Sequence, residues 1–243
     1  MYAFGFRRRG VMTQVAQMTS FQSGSRQLEG YMARPEGDGP FPAIVIIHEI
    51  FGLNENMKEI SRRFAAQGYV ALAVDLFAGR NRAVCLFRVM GGLLLNSLHN
   101  GGIHDLKAAL TFLSEQPGVD ASRLGAVGYC LGGSFAIAWA CTDERLQAIA
   151  PYYAGNPRPL KAIARLCPVV GSYPNKDFTT SAGQKLDVEL DRYHVPHDIK
   201  IYPGAKHSFF NETISNYNES AAQDSWRRVL AFFEEHLAAK AEV

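Results

Sequence analysis

The chain carries one cysteine in a setting that could make it a nucleophile. Gly128-Tyr129-Cys130-Leu131-Gly132-Gly133 follows an apolar run, Leu124 to Tyr129, and opens the helical stretch SFAIAWA. This is the layout of a G-x-nucleophile-x-G elbow with a thiol in place of the usual serine. A tight strand-to-helix turn holds the nucleophile in strained backbone and needs small neighbours, which Gly128 and Gly132 supply. The helix that follows points its N-terminus at the thiol and favours thiolate. It also leaves the Leu131 N–H free to face an oxyanion. The alternative for Cys130 is a buried structural thiol beside a glycine-rich turn; the strand before it and the helix after it favour the elbow.

A nucleophile of this kind needs a base and an acid to orient that base. Nucleophile, acid, histidine is one of the chain orders in which such triads are built. Asp177 falls just past the apolar run Pro168 to Ser172, and His207 just past Ile199 to Tyr202. Both belong on loops at the strand ends where Cys130 sits. The other histidines fit less well. His194 and His197 precede their strand, His236 lies in the final helix, and His99 and His104 flank a helix start upstream of the nucleophile. Asp187 and Asp191 read as solvated charges on a surface helix. The segment His48-Glu49-Ile50-Phe51-Gly52 follows another buried run. Glu49 is thus an acid at the same sheet edge, and the Ile50 N–H stands where a second oxyanion donor belongs. His48 reads as a core histidine whose ring nitrogens are satisfied internally.

The elements that must hold these residues are legible as alternating strands and helices. Ala43 to Ile47 and Tyr69 to Val74 are continuous apolar runs, as expected of strands buried on both faces. Met57, Ile60 and Phe64 recur at helical spacing, with Gly68 suited to the C-terminal cap. Leu106, Ala109, Leu110 and Leu113 form a second helical stripe. Ala148 to Tyr153 is a further strand, and Ala222, Trp226, Val229, Leu230, Phe233 and Leu237 mark one face of the final helix. Residues 28–34 alternate as an edge strand. The whole implies an α/β fold, a doubly wound and mostly parallel sheet with helices on both faces. Segment 82–101 is apolar nearly all round and reads as a buried helix kinked at Gly91-Gly92 rather than a lid.

Composition bounds the rest. The chain has 243 residues, 47% of them hydrophobic and 20% charged. At about 150 residues per domain it is one large unit or two small ones, and with no linker we read residues 13–243 as a single domain. Residues 1–12 read as a flexible N-terminal extension. The stretch after Arg7, Arg8 and Arg9 is too polar for a secretory leader. A net charge of +2 gives no reason to expect nucleic acid or a membrane surface as partner. Four cysteines without zinc spacing suggest reduced thiols, no metal and a cytoplasmic setting. Cys85, Cys141 and Cys167 are expected in helix or core.

These pieces together resemble the dienelactone hydrolase family of the α/β-hydrolase superfamily. HEIFGLN (48–54), VDLFAGR (74–80), GYCLGG (128–133), the Asp177 turn and GAKHSFFN (204–211) carry the likeness over nearly the whole chain. The resemblance implies an α/β-hydrolase fold without cofactor, acting on a small-molecule ester or lactone through a thioester, as a monomer or weak homodimer. It makes Cys130 the nucleophile, His207 the base and Asp177 its orienter. It makes Glu49 a partner of the resting thiol that helps deprotonate it, and the Ile50 and Leu131 amides the oxyanion hole. It puts Phe77, Arg80, Arg82 and Asn211 at the substrate. Two departures stand out. Gly79 and Asn211 occupy positions where dienelactone-cleaving members hold the substrate carboxylate with arginines, and a neutral Asn cannot replace a bidentate guanidinium. Two other readings are a Cys-elbow amidotransferase-like enzyme and a non-enzymatic thiol redox sensor. The acid preceding rather than following His207 disfavours the first.

Overall fold

The computed structural model describes residues 13–77, 90–93, 95 and 97–239. The expected extension 1–12, with Arg80, Arg82 and Cys85, lies outside them. One eight-stranded sheet runs through the molecule in the order β1-β2-β4-β3-β5-β6-β7-β8. Its strands are β1 Gln14–Ser23, β2 Arg26–Pro35, β3 Phe41–Ile47, β4 Val70–Val74, β5 Val119–Tyr129, β6 Leu146–Tyr152, β7 Val169–Pro174 and β8 His197–Tyr202. The pairs from β4 through to β8 are parallel, while β1 with β2 and β2 with β4 are antiparallel.

The central strands are apolar without alternation because helices cover both faces. In β3, Ala43, Val45 and Ile47 join the core on one side, with Leu106 and Leu110 of α2 (Gly101–Ser114) and Phe135 of α3 (Leu131–Ala140). Ile44 and Ile46 join the core on the other side, with Ile60 and Phe64 of α1 (Glu55–Ala66) and Val229 and Phe233 of α5 (Glu219–His236). Helix α4, Thr180–Arg192, adds Leu186 and Leu190 to the first side. Polar side chains start the helices where the sequence offers them. Asn54 accepts from the Met57 amide at 3.1 Å and Asn218 from the Ala221 amide at 3.1 Å. Gly68, at φ +89°, takes the left-handed position after α1.

Two expectations are corrected. Residues 28–34 are not an edge strand. They lie within β2, which has a neighbour on each side, and the edge is β1. Strand β1 was masked in the sequence by its polar alternation, since most of its residues are exposed. The described part of 82–101 is helical at 90–93, 95 and 101; Met90 is 45% and Leu95 91% exposed, so the helix is not buried at those two positions, while residues 82–89, 94 and 96 of the expected helix lie outside the described residues. Among the described residues no helix is long and apolar enough to cross a membrane.

Parallel strands of this kind present the loops after their C-terminal ends at one edge. Glu49 follows β3, Cys130 follows β5, Tyr153 follows β6, Asp177 follows β7 and His207 follows β8, so five loops deliver them together.

Candidate active site

Cys130 sits at φ 56°, ψ −114°, between β5 and α3. Its amide donates to the Tyr152 carbonyl at 3.1 Å. The turn is possible only because of its glycines. A Cβ on Gly128 would stand 2.1 Å from the Gly132 carbonyl oxygen, and one on Gly132 would stand 2.3 Å from that of Ile47. Two other non-glycine residues at this edge, Tyr153 (φ 39°) and Ser208 (φ 62°), also hold left-handed backbone. Such strain persists where surrounding structure enforces it, and it clusters at functional sites.

The thiol lies 3.0 Å from His207 Nε2, and His207 Nδ1 lies 2.8 Å from Asp177 Oδ2. A carboxylate can only accept, so it holds the ring proton on Nδ1 and leaves Nε2 to accept from the thiol. Asp177 Oδ2 also accepts from the Thr179 hydroxyl at 2.5 Å and its amide at 3.3 Å. Burial works against the charged carboxylate, but the bonds from Thr179 and His207 outweigh it and hold Asp177 below its ordinary range. The His207 ring is stacked on Phe178 at 4.8 Å and tilted against Tyr153 at 5.0 Å. Its carbonyl accepts from Asn216 Nδ2 at 3.0 Å. The following loop is tied to α1, where the Arg63 guanidinium lies 5.4 Å from the Phe210 ring and 4.6 Å from Trp226 and pairs with Glu212 at 3.1 Å.

The thiol environment does not favour ionisation. Burial, and then the Glu49 carboxylate, push the Cys130 pKa up to about 12, against a smaller opposing effect of the Leu131 amide. Glu49 is 2% exposed, with Ser208 donating to Oε1 at 2.5 Å and Asn211 Nδ2 to Oε2 at 2.7 Å. A protonated thiol, a histidine that accepts a hydrogen bond from it and a nearby held carboxylate therefore make up the site. Such a set can transfer an acyl group through sulfur once the thiol is deprotonated.

A cavity of about 760 Å³ opens onto these groups. Ile50 and Leu131, the expected oxyanion donors, line it with Cys130, His207 and Glu49. Its other walls are mostly apolar, among them Leu93, Phe178 and Ile214, with Ser97, Ser134, Asn156, Arg158, Thr179, Ser208 and Asn216 as polar points. Two residues expected at the substrate lie elsewhere. Asn211 is 1% exposed and is spent on Glu49 and, through Oδ1, on Thr213 at 2.7 Å. Phe77 is 3% exposed and packs 4.7 Å from the His48 ring. Neither is among the cavity's lining residues. Sequence reasoning passed over Thr179, Ser208 and Asn216, which hold Asp177, Glu49 and the His207 loop. Thr179 alone had a signal, a hydroxyl two residues after an aspartate, the spacing of a local side-chain turn. Among the described residues no cluster of His, Cys, Asp and Glu could hold a metal.

Known proteins share this architecture. The dienelactone hydrolase family matches over residues 28–237. A protein of Saccharolobus solfataricus, named as a candidate carboxymethylenebutenolidase, is 32% identical over 87% of this chain and 95% of its own length. The crystal structure of a candidate dienelactone hydrolase from Klebsiella pneumoniae is 28% identical, with a TM-score of 0.81 over 92% of this chain and 99% of the other. The dienelactone hydrolase-like promiscuous phosphotriesterase P91, from metagenomic libraries, also gives a TM-score of 0.81, at 26% identity over 92% of this chain and 98% of its own. With fold and sequence agreeing along nearly its whole length, this chain belongs to the dienelactone hydrolase family and is a hydrolase of that type.

Proposed function

We propose that the chain hydrolyses small carboxylic esters or lactones through a thioester on Cys130, with His207 as base, Asp177 as its orienter and Glu49 as the acceptor of the thiol proton. The observation that carries this reading is the 3.0 Å approach of His207 Nε2 to the sulfur, backed by Asp177 at 2.8 Å, in a strand–helix elbow. Substrate entry displaces Glu49 from Ser208 and Asn211, and Glu49 takes the thiol proton. The thiolate attacks the carbonyl carbon, and the oxyanion meets the Ile50 and Leu131 amides. The C–O bond breaks, and the alcohol oxygen leaves with the proton from Glu49. Water then attacks the thioester as His207 takes a proton from it. The acid departs, and the proton on His207 returns to sulfur.

We infer that the position of Asn211 holds no substrate carboxylate, which leaves Arg158 as the guanidinium among the described cavity walls. What supports this is the engagement of Asn211 with Glu49. The test is turnover of p-nitrophenyl acetate and of an ester and lactone panel with and without a carboxylate near the scissile bond. Iodoacetamide and Cys130→Ala should each remove essentially all activity, and denatured samples quenched in mid-turnover should carry an acyl mass on Cys130. A Cys130→Ala variant that keeps more than about a hundredth of the wild-type rate, well above the residue left when a nucleophile is removed, contradicts the reading.

A further inference from the structure

We propose that His48 is a positioning residue: its ring sets the plane of the Glu49–Ile50 peptide, and so aims the Ile50 N–H at the substrate carbonyl. The inference rests on the reading that the Ile50 amide receives the oxyanion, and it assigns to a side chain the orientation of that amide.

His48 is 2% exposed and follows β3 directly. Its Nε2 lies 3.2 Å from the Leu76 amide and its Nδ1 2.5 Å from the Glu49 carbonyl oxygen. A backbone amide can only donate, so Nε2 accepts, the proton of the neutral ring is on Nδ1, and Nδ1 donates to Glu49. The Gly52 amide donates to the same oxygen at 3.3 Å. In a trans peptide the C=O and the following N–H point in opposite directions. Two donors that hold the Glu49 carbonyl on one side thus turn the Ile50 N–H to the other, and Ile50 lines the cavity. The ring itself is fixed from the neighbouring strand end. Phe77 packs on it at 4.7 Å, and the Leu76 amide donates to Nε2. Misdirecting an oxyanion donor costs turnover rather than substrate binding, because the ground-state carbonyl needs it less than the tetrahedral intermediate.

Two replacements separate the two ring nitrogens. In His48→Asn the side-chain amide nitrogen reaches the place of Nδ1 and can still donate to Glu49. In His48→Gln the side-chain amide reaches the place of Nε2 and can satisfy Leu76, but the donor to Glu49 is lost. With p-nitrophenyl acetate, His48→Gln should lower kcat by about 10- to 100-fold with KM within about twofold, the scale of a displaced oxyanion donor. His48→Asn should stay within about fivefold of wild type, since it keeps the orienting bond. Alkylation of Cys130 by iodoacetamide forms no oxyanion, so both variants should alkylate at the wild-type rate. The proposal is overturned if His48→Gln keeps wild-type kcat, if alkylation falls in step with kcat, or if His48→Asn loses as much as His48→Gln. It is overturned equally if neither variant folds by circular dichroism, since His48 is then a packing residue. Wild-type protein that turns over no ester would sink the hydrolase reading beneath it. Active wild type with inactive Cys130→Ala keeps that reading whatever His48 does.

Discussion

The Cys130 thiol is held in its unreactive form by its surroundings, which sets it apart from cysteines that rest as an ion pair with histidine. Burial is the first cause and the Glu49 charge the second. These separate in the variant Glu49→Gln, which keeps the size of the side chain and removes the like charge. Alkylation of free Cys130 by iodoacetamide near pH 7 should then speed up several-fold, as expected for a lowered thiol pKa. Ester or lactone turnover should fall in the same variant, because the proton acceptor is gone. Opposite movement of the two rates marks Glu49 as a gate on the thiol. Alkylation that slows, or two unchanged rates, would leave Glu49 as a brace for the loop that carries Ile50. Ser208 and Asn211 bear on this too, since each holds one oxygen of Glu49. Asn211 was expected at the substrate from its place in the motif. The sequence could not reveal that its amide turns inward, because contact with Glu49 spans 162 positions.

At the level of elements, the elbow depends on main chain packed against main chain. Gly132→Ala would drive a methyl group into the Ile47 carbonyl oxygen at 2.3 Å, a contact that side-chain rotation cannot relieve. The expected cost is about 3 kcal/mol or more, at the top of the range for overpacking, with activity lost as well. Gly91→Ala is the control, since nothing among the described residues stands within 4 Å of the added carbon. Its urea midpoint should match wild type while that of Gly132→Ala falls. The elbow was legible because its chemistry demands glycines at fixed spacing, and β3, β4 and the Leu124–Tyr129 half of β5 were legible because doubly covered strands are apolar; the polar first half of β5, from Val119, was not. Strand β1 was not legible. An edge strand owes its place to backbone pairing with β2, from Gln14 opposite Pro35 to Ser23 opposite Arg26, which leaves little mark on side-chain type. The apolar character of 82–101 was misleading for a related reason. Met90 is exposed at a cavity wall, and Leu93 lines the same cavity while packing on the core.

Across the whole molecule, buried thiols tie stability to alkaline pH. Burial pushes Cys141 and Cys167 up to about 12. A thiol raised in this way keeps its proton in the folded chain and loses it in the unfolded chain above about pH 8.5. The stability it confers is therefore whole below that pH and is lost as the pH climbs toward the folded value. Each such thiol steepens the loss by about 1.4 kcal/mol per pH unit. Urea midpoints between pH 8 and 10 should fall with pH in the wild type. The fall should be shallower in Cys141→Ala with Cys167→Ala, while ester turnover at pH 7 stays near wild type. An equal slope in both proteins would mean that neither thiol is shielded as its burial implies.

The packing of Gly132 against the ends of Ile47 and His48 has a consequence for how this protein can diversify. Beside Cys130 the backbone of two loops is in close contact, Gly132 against the Ile47 and His48 carbonyls, so a side chain added at Gly132 would dislodge both. Met90, Leu93 and Ile214 also line the cavity and take no part in that backbone contact. Substitution at Met90, Leu93 or Ile214 can therefore alter the cavity without disturbing the elbow, whereas the packed backbone changes only as a unit.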